Sequence, residues 1–138
     1  MELLHKNTTD KILRAFFNVY NKMGYGFSEK VYENSLLIEL RKMGLKCERQ
    51  KPISVYYDED RVGDYFADIV VSGEVILELK AADSIAPEHE TQLFNYLRAT
   101  DIELGYVLNF GEKPQFKRIL FTNDRKGSRN GNVIEHAR

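Results

Sequence analysis

Apolar residues near the N-terminus recur at the three-to-four spacing of one buried helix face. The first such pattern predicts a helix over residues 9–23, which Gly24 and Gly26 end. The second predicts a helix from a Ser28 cap to about residue 43, which Gly44 ends. The apolar positions are Ile12, Leu13, Phe16, Phe17 and Tyr20 in the first helix, and Val31, Leu36, Leu37, Leu40 and Met43 in the second.

Further along the chain, short segments rich in β-branched and aromatic residues are typical of strands. A third helix is predicted from Pro87 to about residue 99, because proline suits the first turn of a helix. The order of helices and strands predicts an α/β fold with a mixed central β-sheet flanked by helices. The predicted strands occupy residues 46–50, 53–57, 65–71, 75–80, 104–110 and 116–121, with a turn at 58–60.

The length of 138 residues favours a single domain with one compact core. We expect that domain to cover residues 1–121, because residues 122–138 are polar and lack a periodic pattern, as in a loosely ordered tail. No window approaches the roughly 18 apolar residues of a membrane span, and the N-terminal segment lacks the apolar run of a signal peptide. A cytoplasmic location without membrane partners is therefore expected.

Composition excludes some kinds of site and leaves others open. Cys47 is the only cysteine, so the chain cannot form an internal disulfide or a zinc site of several cysteines, and an inert thiol is expected. The net charge of −1 provides no overall attraction to nucleic acid. A basic strip could follow a phosphate backbone, although a solvated helix end and loop would have the same composition. The strip consists of Arg41, Lys42, Lys46, Arg49 and Lys51.

Three charged residues in two neighbouring predicted strands suggest a catalytic site. Glu78 and Lys80 are two apart in a strand and therefore point to the same face. Asp68 shares that face only if the turn between the strands is odd in length, since a two-residue turn would place it on the opposite face. We therefore predict a bulged or odd-length turn, in which Gly73 adopts a left-handed or bulge conformation.

The same three residues have the chemistry of a phosphodiesterase site. Magnesium prefers oxygen ligands and takes one or two protein carboxylates, which Asp68 and Glu78 would supply, with the backbone carbonyl of Leu79 as a further ligand. The metal would acidify water and offset charge on the attacked phosphate, and Lys80 would position that water. A salt bridge between strands on a solvent face is the alternative interpretation, and these residues alone do not distinguish the two.

Several motifs together resemble a known family. GFSEKVY at residues 26–32 matches the pattern GxxExxY, and ADIVV, LELK, HETQLFNYL and LGYVLNFG follow in order. From about residue 11 to residue 121, the chain thus resembles the GxxExxY family of bacteria and archaea. That family is placed in the PD-(D/E)XK nuclease superfamily, near its RecB-like branch. Ala67 stands where the superfamily name has a proline, a change that touches no catalytic atom. The resemblance implies a restriction-endonuclease-like core.

The resemblance also implies roles for individual residues. Asp68 and Glu78 correspond to the metal ligands, which also act in catalysis, and Lys80 corresponds to the catalytic lysine. Glu29 resembles an acidic residue on an early helix that reaches the metal in RecB-like members. Without that resemblance, Glu29 in a first helical turn would simply favour the helix dipole.

Four residues are expected to contact the substrate or support catalysis. Gln92 and Tyr96 resemble the QxxxY motif of RecB-like members, and their spacing of four places them on one helix face, where they could contact a phosphate or hold the lysine. Tyr32 lies at the start of the predicted second helix, and His89 lies one helical turn before Gln92, so both could contact the substrate. The structural alternatives are core-edge aromatics for the two tyrosines and a surface position for His89.

The residues and the resemblance together predict a nuclease that hydrolyses phosphodiester bonds in DNA, with Mg²⁺ as the metal and Mn²⁺ as a substitute. DNA is the expected partner, and a homodimer would allow both strands of a duplex to be cut. The alternative is a module that binds nucleic acid or protein and has weak or no catalysis, which the small size and near-neutral charge favour. Hydrolysis of a nucleotide or another small phosphoester is a third hypothesis.

Overall fold

The computed structural model describes residues 3–126 of the chain. In this range, three α-helices, five strands and a short 3₁₀ turn follow one another. None of these helices has the length and apolar character needed to cross a membrane. The elements are α1 (Lys6–Met23), α2 (Glu29–Lys42), β1 (Cys47–Tyr57), β2 (Asp60–Val71), β3 (Val75–Lys80), α3 (Pro87–Arg98), β4 (Leu104–Phe110), β5 (Pro114–Leu120) and the 3₁₀ turn (Asn123–Arg125).

The strands form one mixed sheet in the order β1-β2-β3-β4-β5. Among the described strands, only β3 and β4 are parallel, because α3 crosses between them. Helices α1 and α2 bury their apolar residues on one face of the sheet, against residues such as Leu77 and Leu108. Helix α3 covers the other face, against Ile76 and Val107. The predicted α/β fold, a mixed sheet flanked by helices, is confirmed.

The turn between β2 and β3 has three residues, 72–74, so the prediction of an odd-length turn is confirmed. Gly73 has a left-handed backbone with φ of 66°, a conformation that costs glycine little. The three residue pairs that follow the turn keep one register. The next step of that register sets Asp68 opposite Glu78, on the shared face that a metal site requires.

Strands β1 and β2 form a longer hairpin than the sequence pattern predicts. Strand β1 is continuous over Cys47–Tyr57, where two separate segments are predicted. Strand β2 begins at Asp60, whereas its predicted start is residue 65. Residues 60–64 have no apolar alternation, since Val62 is their only large apolar residue, but their backbone groups pair with β1 whatever the side chains are. Pro52 is tolerated because β1 is an edge strand.

Residues 51–67 of this hairpin, which we call the hairpin arm, extend beyond β3. The hairpin pairs with β3 only through residues 69–71, so the arm has no strand neighbour on its β2 side. Ile53 and Ala67 of the arm are buried in the apolar cluster around α3. The arm is therefore held against α3.

At Asp68, the side chains of strand β2 stop alternating regularly between the two faces of the sheet. Ala67 belongs to the cluster on the α3 side, whereas Ile69, only two residues later, belongs to the cluster on the side of α1 and α2. In a regular strand these two residues would share a face. Gln50, which the register sets opposite Asp68, has a left-handed backbone with φ of 49°, and pairing is interrupted there. Asp68 thus lies at a break in the regular sheet.

The segment that leaves β3 is fixed against the end of β4. The side-chain amide of the buried Asn109 donates to the Ala82 carbonyl and accepts from the Ala82 N–H, both at 2.9 Å. Gly111 passes so close to Ala82 that an added Cβ would collide with the Ala82 oxygen. These contacts fix the backbone two residues after Lys80.

Residues 122–126, where the predicted tail begins, pack on the domain. The backbone N–H of Asn123 donates to a Glu103 carboxylate oxygen at 2.7 Å, and the Lys126 ammonium group donates to two backbone carbonyls. The described domain therefore continues past the predicted limit at residue 121, because polar contacts that leave no periodic pattern hold this segment. The remainder of the predicted tail, residues 127–138, lies outside the described residues.

We predict that Gly111→Ala destabilises the fold, because the new methyl group must displace the Ala82 backbone. The free energy of unfolding, measured by urea denaturation, should fall by about 1–3 kcal/mol. Gly63→Ala is the matched control, since an added Cβ there meets only the end of the Tyr65 ring, at 3.3 Å. Equal losses in the two variants would show that the close approach of Gly111 is not a packing constraint.

Candidate active site

Asp68 and Glu78, which we call the acidic pair, face each other where β2 and β3 separate. The backbone N–H of Asp68 donates to Glu78 Oε2 at 3.0 Å, and the backbone N–H of Leu79 donates to Asp68 Oδ2 at 2.8 Å. Regular pairing of the two strands ends one step earlier, at Ile69 and Leu77. The two carboxylates therefore replace backbone carbonyls as acceptors at the point of separation.

Burial makes both carboxyl groups of the acidic pair harder to ionise. Glu78 is 2% exposed, and burial, followed by the nearby Asp68 charge, raises the pKa of Glu78 to about 8. Burial also raises the pKa of Asp68, and the Glu33 carboxylate adds to this increase. The Lys80 charge acts in the opposite direction on both groups but does not cancel the effect of burial. The acidic pair thus lacks a full counter-charge within the protein.

Lys80 is held by two residues of α3. Its Nζ donates to Gln92 Oε1 at 3.4 Å, and Gln92 Nε2 donates to the Tyr96 hydroxyl at 2.9 Å. Because a lysine ammonium group only donates, this contact determines which end of the Gln92 amide faces it. Burial, followed by the Glu78 charge, raises the pKa of Tyr96 to about 12, so its hydroxyl stays protonated. The sequence leaves open whether Gln92 contacts a phosphate or holds the lysine. In the structure, Gln92 contacts Lys80.

Helix α2 brings two further carboxylates toward the acidic pair. Glu29 is exposed at the first position of the helix, and its charge contributes to the raised pKa of Glu78. Glu33, one turn later, is 5% exposed and acts in the same way on Asp68. Glu33 is absent from the sequence-based predictions, although its spacing of four from Glu29 places both on one helix face. That spacing is the signal that could have identified it.

Gln50 links Glu33 of α2 with Asp68 of the acidic pair. Its Nε2 donates to Glu33 Oε1 at 3.1 Å and makes a longer contact of 3.4 Å with Asp68 Oδ1. Arg49 lies 3.2 Å from Glu33 Oε2 as an ion pair, although this oxygen has no hydrogen bond of good geometry in the described chain. Gln50 is also absent from the sequence-based predictions, because only the folded hairpin brings it opposite Asp68.

Two of the residues predicted to contact substrate, Tyr32 and His89, make hydrogen bonds within the protein. Tyr32 is fully buried, and its hydroxyl donates to the Gly24 carbonyl at 2.7 Å and accepts from the Phe27 N–H at 3.3 Å. It therefore fixes the glycine-containing loop before α2. His89 Nδ1 accepts the Ala86 N–H at 3.0 Å, which fixes the start of α3. The hydroxyl of Tyr32 and this nitrogen of His89 are thus already bonded within the protein.

The geometry also bears on the alternative interpretations of the charged residues. Lys80 forms no direct ion pair with Asp68 or Glu78 within the described residues, and Glu78 is buried, so a salt bridge on a solvent face is not formed. Burial raises the pKa of the Cys47 thiol, which supports the interpretation of an inert cysteine. Much of the basic strip is paired with acidic side chains, which favours an ordinary solvated surface. The pairs are Lys42 with Glu39, Arg49 with Glu33, and Lys51 with Glu48.

A comparison with known protein families matches residues 6–119 to the PD-(D/E)XK nuclease superfamily. The chain belongs to this superfamily. No curated protein and no solved structure matches the chain. The matched range of this PD-(D/E)XK domain includes α2, the acidic pair, Lys80 and all of α3. The closer resemblance to the GxxExxY family and the RecB-like branch stays a prediction.

PD-(D/E)XK nucleases generally use divalent metal ions, and the donor set of this domain fits such an ion. Within residues 3–126, no three His, Cys, Asp or Glu side chains form a cluster that could hold a metal by themselves. Magnesium does not require such a cluster, because it binds through one or two carboxylates and keeps several waters. Asp68 and Glu78 supply two carboxylates, and their raised pKa values indicate that the Lys80 charge alone does not offset their burial.

We predict that the stability of the metal-free domain falls as pH rises. A folded-state pKa of about 8 for Glu78, above its ordinary value of 4.5, means that the folded form retains a proton that the unfolded form has lost between these values. The free energy of unfolding in EDTA should therefore decrease by on the order of 3 kcal/mol from about pH 5 to pH 8. Urea denaturation across this range measures the change.

Glu78→Gln should lose most of this pH dependence, because the neutral amide has no proton to lose. Glu88→Gln, at an exposed position in the first turn of α3, is the control and should keep the wild-type slope. The same slope in wild type and Glu78→Gln would contradict the raised pKa of Glu78.

Proposed function

We propose that this PD-(D/E)XK domain is a metal-dependent nuclease that hydrolyses phosphodiester bonds in DNA, with Mg²⁺ in its site. The observation that carries the proposal is the placement of the buried Glu78, the partly buried Asp68 and a lysine beside one another where β2 and β3 separate. Membership of a superfamily of nucleases supports the reaction class. The GxxExxY motif around Glu29 supports a place near the RecB-like branch.

The acidic pair would hold the metal ion. Asp68 and Glu78 would supply carboxylate oxygens, and we propose the Leu79 carbonyl and Glu29 as further ligands. When bound, magnesium supplies positive charge beside the attacked phosphate and acidifies water for the attack. Both carboxyl groups must be ionised to bind a cation, so binding would displace the proton that burial retains on Glu78.

Lys80 would stabilise the negative charge that develops on the phosphate and position the attacking water. Its ammonium group donates one hydrogen bond to Gln92, which leaves its remaining donors for water and a phosphate oxygen. Tyr96 accepts from Gln92 and so limits the positions that this amide can adopt. Gln92 and Tyr96 therefore act as positioning residues for Lys80.

Glu33 and Gln50 would position Asp68 from the other side. Gln50 contacts Asp68 Oδ1, while the Leu79 N–H is bonded to Oδ2, so each carboxylate oxygen has one contact. Glu33 accepts from the same Gln50 amide at 3.1 Å and thereby orients it. The Glu33 charge also keeps the pKa of Asp68 high, which adds to the repulsion that a bound cation would relieve.

Lys80→Ala is expected to lower the rate of DNA cleavage at least about 100-fold, because it removes the cation beside the reacting phosphate. The measurement is nicking and end-degradation of labelled single- and double-stranded DNA with Mg²⁺ or Mn²⁺. Lys46→Ala is the control, since Lys46 is exposed beside the β2–β3 turn, at the end of β3 remote from Lys80, and should retain activity.

Equal activity in wild type and Lys80→Ala, or no metal-dependent activity on any substrate, would contradict the nuclease proposal. Salt-sensitive DNA binding that survives Asp68→Ala, without cleavage, would favour the binding module. Turnover of mononucleotides in place of polymer would favour a small phosphoester as substrate.

Mn²⁺ is expected to bind with an affinity that rises between about pH 6 and pH 8.5, because Glu78, whose pKa is about 8, must first lose its proton. Isothermal titration calorimetry measures the affinity. Asp68→Asn should weaken binding at least about tenfold, whereas Asp64→Asn, at an exposed position on the hairpin arm, should not. Binding that is independent of pH, or equal in the two variants, would place the metal elsewhere.

A further inference from the structure

A groove of about 440 Å³ lies between the hairpin arm and α3. Val55 and Tyr65 line it from the arm. The other side is lined by six residues of α3, which are Glu88, Thr91, Gln92, Asn95, Tyr96 and Arg98. This volume is in the range of pockets that hold small ligands, and its walls combine aromatic rings, amides, the Arg98 cation and the Glu88 carboxylate.

The hairpin arm presents Tyr65 to this groove. Tyr65 pairs with Ile53, which is buried in the cluster around α3, so both side chains lie on the face of the arm that meets the helix. The Tyr65 ring nevertheless remains about half exposed and lies 5.9 Å from the Tyr96 ring, at a tilt of 46°. An accessible aromatic face at the mouth of a groove is a platform on which a flat ring can stack.

The groove is continuous with the candidate active site. Gln92 and Tyr96 line the groove and also form the chain of hydrogen bonds that holds Lys80. The Glu78 charge is near enough to Tyr96 to contribute to the raised pKa of its hydroxyl. A molecule in the groove would therefore contact the two residues that position Lys80.

We propose that the groove binds one unpaired nucleotide of a single-stranded nucleic acid, next to the phosphate that is cleaved. The base stacks on Tyr65, and the side-chain amide of Asn95 hydrogen-bonds to its edge. The Asn95 side chain is exposed and has no hydrogen-bond partner within residues 3–126. The inference rests on the proposed function for the position of the phosphate at the acidic pair.

Arg98 supplies a cation at the end of the groove away from Lys80. It lies six residues, or about 9 Å along the helix axis, beyond Gln92. A strand whose cleaved phosphate is at the acidic pair can thus reach a second positive charge with a neighbouring phosphate, while the base between them occupies the groove. The charges at the two ends fit a polynucleotide better than an isolated base.

A single strand is therefore preferred to an intact duplex. A base that stacks on Tyr65 and bonds through its edge is not available for pairing, and extracting it from a duplex costs unstacking and unpairing free energy. Single strands, overhangs and frayed ends carry no such cost. The inferred substrate class is single-stranded nucleic acid or the single-stranded part of a branched molecule.

Tyr65→Trp provides a direct test, because the chain contains no tryptophan and the new side chain becomes the only one. The substitution is made together with Glu78→Gln, so that the probe is not cut and binding is recorded without a metal. Short oligothymidylate and a blunt duplex of the same length are titrated. Phe116→Trp, on β5, carries the control tryptophan against α1 and away from the groove.

Oligothymidylate should saturably quench the tryptophan fluorescence of the Tyr65→Trp variant and leave that of the Phe116→Trp control unchanged. The duplex should bind at least about tenfold more weakly. Tyr65→Ala should weaken binding of the single strand at least about tenfold, whereas Tyr65→Phe should retain it because the stacking surface remains. Circular dichroism checks that the exposed substitution leaves the fold intact.

Equal affinity of Tyr65→Ala and wild type for the single strand, or equal affinity of wild type for single strand and duplex, would overturn the inference. Both results are independent of cleavage. Equal cleavage by wild type and Lys80→Ala, in contrast, would contradict the nuclease proposal. The measured preference for single strands would still stand.

Discussion

The candidate site depends on an interruption of backbone pairing between β2 and β3. Where the strands separate, the N–H groups of Asp68 and Leu79 are bonded to the carboxylates of Glu78 and Asp68. Backbone donors that lost their strand partners without replacement would be costly in the protein interior, so the two side chains satisfy the backbone. The same bonds fix the carboxylates beside each other. The left-handed Gln50 continues the interruption into β1 and contacts both Asp68 and Glu33.

This arrangement concentrates negative charge that the protein does not neutralise. Burial and the Asp68 charge raise the pKa of Glu78 to about 8, and the Glu29 charge adds to this increase. Burial and the Glu33 charge raise the pKa of Asp68. Such an arrangement is unfavourable for the stability of the metal-free fold at neutral and alkaline pH. Carboxyl groups whose pKa values are raised by burial and by neighbouring carboxylates are typical of sites that bind a cation or transfer protons.

Helix α3 connects the sheet, the lysine and the groove. It is the crossover that makes β3 and β4 parallel, and it approaches β4 closely because Gly105 leaves room for the Leu93 side chain. Its side that faces the hairpin arm holds Lys80 through Gln92 and Tyr96 and also lines the groove. The position of one helix therefore determines both the orientation of the lysine and the shape of the space beside it.

The sequence by itself determined the features that depend on local periodicity and on whether a turn has an odd or even number of residues. The helices, the α/β class, the odd-length turn at Gly73 and the shared face of Glu78 and Lys80 follow from spacings of a few residues. Tertiary structure alone decided that Gln50 lies opposite Asp68 and that the Tyr32 hydroxyl is bonded within the protein. Tertiary structure also decided that the arm covers α3, where Tyr65 meets the groove. These features depend on contacts between residues distant in the chain, and the hydrogen bonds and packing that select them leave no periodic pattern in the sequence.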